Sequence, residues 1–315
     1  MNTTLKFIIF QVVIILPFAF GTIIRTLIKD PVLFTRRLLR INLILIEPLI
    51  VLWSIWGLCL DWDLVVLPFA GLVIVCSGLF LGRVILPGLH LGEKGSASFL
   101  ISSSLANHGF TMGSFLCYLF MGERGLALSF IFLSYFMPYV FLVVFPYARY
   151  VASGRAYTFS LLNDFFLNLQ NMPLYAIILG IVFHTVGFER PCVYFPVDIL
   201  IMVAVALYYF SLGVNFNISD IMSSRSENIA LCLIKFVMVP LVTFSALSLL
   251  ELDGDIEGVI MIQSFMPAAI YSVVASVLFN LDSRLSSNLF VSNTLIFIVV
   301  VLPLLYLFRG YVLSP

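Results

Sequence analysis

The chain has 315 residues, 62% of them hydrophobic and only 10% charged, and its sixteen basic and sixteen acidic side chains leave no formal net charge. Soluble domains carry about a quarter charged residues, so this composition excludes an ordinary soluble enzyme, and the neutral balance leaves no basic footprint for a nucleic acid. About 20 apolar residues cross a bilayer core of about 30 Å, so the chain reads as an all-α, multi-pass membrane protein.

Taken in chain order, apolar runs bounded by charge, Gly or Pro predict helices over 5–28, 38–58, 64–86, 97–119 and 125–147, then over 172–188, 196–215, 229–250, 259–279 and 286–308. The first run follows a very short head and lacks a small-residue cleavage site, which predicts a retained span and not a signal peptide. Between the two sets, Phe159, Leu162, Phe166 and Leu169 recur at helical spacing opposite Asn163, Asn168 and Gln170, the pattern of a helix lying in the interface. Residues 1–150 are thus expected to form a first five-helix repeat, 151–171 a central cytoplasmic connection, and 172–315 a second repeat. Cys59, Cys76, Cys117, Cys192 and Cys232 are scattered without a CxxC pair or a nearby His at metal spacing, and are expected to be thiols buried in the membrane, with no metal and no cofactor.

Lys and Arg set the orientation. The odd-numbered connections or their helix ends carry Arg25, Lys29, Arg36, Arg37, Arg40, Arg83, Lys94, Arg149, Arg155, Arg225, Lys235 and Arg284, twelve of the sixteen basic residues. The other side keeps Lys6, Arg124, Arg190 and Arg309. Positive charge is retained in the cytoplasm, which predicts that both termini face outward across a cell membrane, the inner one in a bacterium. A five-helix unit duplicated in tandem must enter from opposite sides in its two copies, so duplication predicts an inverted repeat, a recurrent plan of secondary transporters.

Helix 4 of this scheme is studded with Ser102, Ser103, Ser104, Asn107, His108, Gly109, Thr111, Gly113 and Ser114, and helix 9, its counterpart, with Gln263, Ser264, Pro267, Ala268, Ala269 and Ser272. Pro267 removes a backbone donor and Gly109 and Gly113 loosen the chain, so both helices are expected to break in mid-span and to cross there, with bare N–H groups turned toward an anion. The alternative is packing, since Gly109 with Gly113, and Gly78 with Gly82, both spell GxxxG. Glu47 lies about 9 Å of helix rise beyond Arg40 and is either a proton or ion site or a neutral carboxyl bonded to a neighbouring helix. His108 is the other coupling-ion candidate. Lys235 is expected to snorkel to the cytoplasmic face and Asp198 to cap a helix start.

The segment 107–125, NHGFTMGSFLCYLFMGERG, resembles the fourth-helix signature of the auxin efflux carrier family of bacterial and plant transporters. Segments 171–187, 207–214, 235–240 and 262–294 resemble that family's sixth, seventh, eighth, and ninth to tenth helices in order, with Pro267 at the crossover proline; the first 95 residues match in span pattern alone. Ala106 and Ser114 stand where the family commonly has Pro, which puts a sharp break in helix 4 in doubt. The resemblance implies ten transmembrane helices in two inverted five-helix repeats, an NhaA-like fold with crossed broken helices 4 and 9, and the transport of a small organic anion such as a carboxylate. Asn107, His108, Gly109, Gly113, Ser264, Pro267, Ala268 and Ser272 would line the substrate site, with H⁺ or Na⁺ as coupling ion through Glu47 or His108, in a monomer or a homodimer. Competing readings are a receptor or assembly protein on a transporter fold and an intramembrane enzyme. For the last, no nucleophile–base pair, intramembrane Asp pair or His-rich metal set is assembled, and no nucleotide motif points to ATP drive.

Overall fold

The computed structural model describes residues 3–153, 171–215 and 224–308, and the expected interfacial helix near 159–169 lies outside them. The helices are α1 (Thr3–Ile24), α2 (Pro31–Ile41), α3 (Glu47–Trp56), α4 (Val66–Ile85), α5 (Glu93–Ser104), α6 (Gly113–Leu133), α7 (Phe136–Tyr139), α8 (Phe145–Ser153), α9 (Met172–Thr185), α10 (Val197–Asn215), α11 (Arg225–Leu233), α12 (Val239–Leu247), α13 (Gly254–Ser264), α14 (Ile270–Leu278), α15 (Ser283–Ile296) and α16 (Leu302–Leu307). Several are pieces of one longer rod. Six rods are long and apolar enough to cross a membrane, among the described residues: Leu33–Trp56, Trp62–Leu89, Gly113–Ser153, Val197–Val214, Arg225–Leu247 and Ser283–Leu307. The other apolar helices are shorter or broken. At 1.5 Å per residue α5 is about 18 Å long and α14 about 14 Å, each short of a bilayer core by itself.

Proline explains a repeated irregularity. The π-helical turns Asn42–Ile46, Val140–Val144, Ile234–Met238 and Phe297–Val301 each end two residues before a proline, Pro48, Pro146, Pro240 and Pro303. A proline ring collides with the carbonyl four residues back, and widening the turn moves that carbonyl aside while the rod continues. A different device ends the first half of α6, where Gly122 takes φ 70° and ψ −153°, a backbone that side chains with a Cβ avoid.

The chain divides into two compact units that each draw on both halves of the sequence. Unit 1 comprises Met1–Leu64, Gly109–Ile131 and Phe166–Phe216. Within it α1 packs along α10, and α3 along α9. Backbones touch in the first pair: a Cβ on Gly213 would stand 2.1 Å from the Phe18 carbonyl oxygen, and one on Gly21 2.3 Å from that of Phe210. Small residues let membrane helices approach this closely, where van der Waals contact replaces the missing hydrophobic drive. Arg190 lies over the Trp53 ring, 5.0 Å from its centroid, and pairs with Glu123.

Unit 2 comprises Val65–His108, Phe132–Phe165 and Asn217–Pro315. Here α4 packs on α5, with Gly78 facing the Ser103 carbonyl and Gly82 the Ser103 side chain, so this GxxxG is a packing seam. The pair Gly109 and Gly113 is not one, because Gly109 lies in unwound chain before α6 begins. Hydroxyls knit the seam further: Ser104 Oγ donates to the Val75 carbonyl at 3.1 Å and meets Tyr139 Oη at 2.8 Å. No cysteine forms a disulfide; Cys117 is buried within the protein, while Cys59, Cys76 and Cys192 lie on the protein surface, Cys76 inside the membrane-crossing rod Trp62–Leu89.

Candidate functional site

Both helices expected to break do so. Chain unwinds between α5 and α6, from Leu105 to Met112, and between α13 and α14, from Phe265 to Ala269. Within unit 2 the two interruptions cross as a two-rung antiparallel bridge centred on Ala106 and Ala268. The Asn107 N–H donates to the Pro267 carbonyl at 2.7 Å, and the Ala269 N–H to the Leu105 carbonyl at 3.2 Å. Breaking a helix at membrane depth strips several backbone groups of partners, and each helix here supplies what the other lost.

The remaining backbone groups are met by side chains. Asn293 of α15 accepts from the Ala268 N–H at 2.8 Å while its own amide reaches Cys232 Sγ at 3.3 Å. Lys235 is the main departure from the sequence expectation. Its side chain does not run to the cytoplasmic face; it is 2% exposed, and Nζ donates to the carbonyls of Ser104 and Leu105 at 3.1 and 3.0 Å, at the C-terminal end of α5. The π turn Ile234–Met238 carries it there. A helix C-terminus is the negative pole of its dipole, so an ammonium seated on those carbonyls is favourably placed.

His108 is wholly buried. Its Nε2 lies 3.0 Å from the Gln263 carbonyl, and Gln263 Nε2 donates back to the His108 carbonyl at 3.2 Å. A carbonyl only accepts, so Nε2 carries the hydrogen, and in the neutral ring Nδ1, 2.5 Å from Tyr135 Oη, accepts from that hydroxyl. Phe132 stands edge-on to the ring, 5.1 Å between centroids. Ser264 and Ser272 turn their hydroxyls to carbonyls of their own chain, Met261 and Ala269. The Gly109 carbonyl accepts from the Met112 and Ser114 N–H groups, closing the turn into α6.

The structure thus gathers Asn107, His108, Ser264, Pro267, Ala268 and Ser272 in unit 2. Gly109 and Gly113 belong to the chain of unit 1, as does Glu47, which is 5% exposed and accepts from the Tyr208 hydroxyl. The N–H groups expected to be bare are in good part engaged, those of Asn107, His108, Ala268 and Ala269 among them. The sequence reading missed Lys235, Tyr135 and Asn293 as members of this region. A charged residue inside a long apolar run was the available signal for the first.

The profile of a family described as membrane transport protein matches residues 156–306. An uncharacterized transporter of Methanocaldococcus jannaschii is 26% identical over 241 residues, which cover 73% of this chain and 76% of that protein. The chain is thus similar to membrane transporters, as the resemblance to the auxin efflux carrier family implies. The matched profile takes in Lys235, the helix break at Pro267 and Asn293, so half of the crossover, with its lysine, lies inside the matched region.

Proposed function

We propose that this chain is a secondary carrier of a small organic anion, a carboxylate, working by alternating access at the helix crossover. One observation carries the anion class. Lys235 places an ammonium inside the crossing, its hydrogen bonds go to carbonyls, and no carboxylate pairs with it among the described residues. With the half-helix α14 starting beside its break in the same unit, its N-terminal pole adds to the positive field, and Asn107 offers a carboxamide to the same ligand.

The same reading takes the chain as ten passes in two inverted five-helix repeats of NhaA-like plan, with α5 and the first half of α6 as one interrupted pass and α13 with α14 as its counterpart. Packing inside each unit supports this. Exchanging each pass with the one five places on turns the contact of α1 with α10 into that of α9 with α3, and the contact of α4 with α5 into that of α12 with α13; all four are present. The π turns before Pro146 and Pro303 fall in the passes that would be equivalent fifth members. The positive-inside bias places both termini outside, and removing buried Lys235 from the count leaves eleven basic residues against four.

Uptake of radiolabelled mono- and dicarboxylates into proteoliposomes, under imposed pH and sodium gradients, tests the reading. Accumulation of at least one acid above protein-free liposomes is the expected result. Carriage of neutral or cationic solutes in preference to every acid would overturn it.

A further inference from the structure

Unit 1 holds a second buried polar set that a widened turn makes possible. In an α-helix a five-residue step swings a side chain about 140° around the axis. The π turn Asn42–Ile46 instead bonds the Glu47 N–H to the Asn42 carbonyl and leaves both side chains facing α10. The Asn42 Nδ2 donates to the Ala204 carbonyl at 3.0 Å, and one turn along α10 the Tyr208 hydroxyl donates to Glu47 Oε1. Because a backbone carbonyl only accepts, the Asn42 amide has one permitted orientation, and its Oδ1 is buried with no hydrogen-bond donor.

Glu47 has the complementary deficit. It is 5% exposed, it accepts one hydroxyl, and no cation pairs with it among the described residues. The helices packed on this segment, α2, α9 and α10, carry Arg36, Arg37, Arg40, Tyr175, His184, Asp198, Tyr208 and Tyr209. Among the described residues Tyr208 alone is hydrogen-bonded to the carboxyl; Arg37, Arg40, His184 and Asp198 are exposed, and Tyr209 bonds the Thr111 carbonyl. An unpaired carboxylate in such a place is costly. One proton on Oε2 neutralises the carboxyl and makes it an O–H donor, the kind of partner that the buried Asn42 Oδ1 lacks.

We infer that Asn42, Glu47 and Tyr208 form the binding site of the coupling proton. The proton comes from water, forms one O–H bond on Glu47 Oε2 and leaves by the same bond, with no electron moved. The word coupling rests on the carrier reading above; the proton site rests on the geometry of unit 1.

Infrared difference spectra of the full chain in lipid, between acidic and alkaline buffer, read the site directly. The wild type is expected to show the C=O band of a buried protonated carboxyl, absent from Glu47→Gln, shifted to higher frequency in Asn42→Leu by loss of the acceptor, and displaced in Tyr208→Phe. A band unaltered in Glu47→Gln overturns the site. Loss of the wild-type band on adding sodium at fixed pH assigns it to Na⁺ and overturns the proton. In liposomes, a proton gradient should speed uptake by the wild type and lose that stimulation in Glu47→Gln; proton-driven uptake that survives the substitution overturns the coupling. An intact band with no acid carried at all overturns the carrier reading and leaves the proton site standing.

Discussion

Lys235 Nζ lies 3.0 Å from the carbonyl oxygen of Leu105, the first residue after α5 ends. That carbonyl and its neighbour on Ser104 have no further helical turn to accept from, and both residues are buried. A charged side chain from the rod Arg225–Leu247 therefore serves as the cap of the broken helix α5.

Lys235→Met should accordingly damage both stability and transport. Hydrogen bonds to a charged group contribute about 1.5–3 kcal/mol each, and two are removed together, so a loss of about 3 kcal/mol is expected once relaxation is allowed for. Thermal melting in detergent measures the first effect and proteoliposome uptake the second. A melting curve that matches the wild type would show the carbonyls to be hydrated and the lysine to be no cap.

Pro267→Ala tests whether the break between α13 and α14 is needed. A proline in a helix interior costs about 3 kcal/mol relative to alanine, so the variant should keep or raise its melting temperature as α13 and α14 move toward one continuous helix. Uptake should be lost, because the Asn107 N–H then loses the Pro267 carbonyl that it now reaches at 2.7 Å. Pro17→Ala, inside α1, is the control for an ordinary membrane proline.

Asn107→Ala should weaken substrate binding by about one to two decades, the equivalent of one hydrogen bond to a carboxylate. Its backbone rung would persist, so melting should change little. Competition of unlabelled acid against labelled acid reads the affinity, and wild-type competition would remove Asn107 from the site.

Orientation is open to impermeant thiol labelling. In a Cys-free background, Gly254→Cys should react from outside intact cells and Ser153→Cys should not; both positions are exposed, and at Gly254 a Cβ meets nothing within 4 Å. The reverse pattern would invert the topology.

Gly213→Val should unfold the α1–α10 pairing of unit 1. Its Cβ would press to 2.1 Å from the Phe18 carbonyl, backbone that cannot step aside as a side chain can. Overpacking costs about 1–3 kcal/mol and is expected here at the upper end or beyond. Retained melting would mean that the two helices can separate without loss.

Much of the fold was legible because a membrane protein must solve a solvent problem that is written residue by residue. Apolar runs, the basic bias of one set of connections, and the polar rows around Asn107 and Pro267 follow from lipid and from unmet backbone groups, and most described helices start and stop within a few residues of where those signals put them, although the second begins at Pro31 against an expected 38. Even without the family's prolines at Ala106 and Ser114, the chain breaks between α5 and α6, since the second broken helix supplies bridge partners for Asn107 and Leu105.

Destinations were another matter. Lys235 has the same stem whether it reaches for water or for a carbonyl, and choosing between them took the end of α5, whose Leu105 carbonyl lies 130 residues away from the lysine in the chain. His108 was marked as an ionisable residue at the expected helix break, but its two ring partners, Tyr135 and the Gln263 carbonyl, come from distant segments. Glu47 announced itself as a buried charge, while Asn42 and Tyr208 became its companions through a π turn and the face of another helix. Hydropathy and charge act on each residue through its solvent and so can be read locally, whereas the partner of a buried polar atom is set by which segments packing brings together, and that is decided in three dimensions.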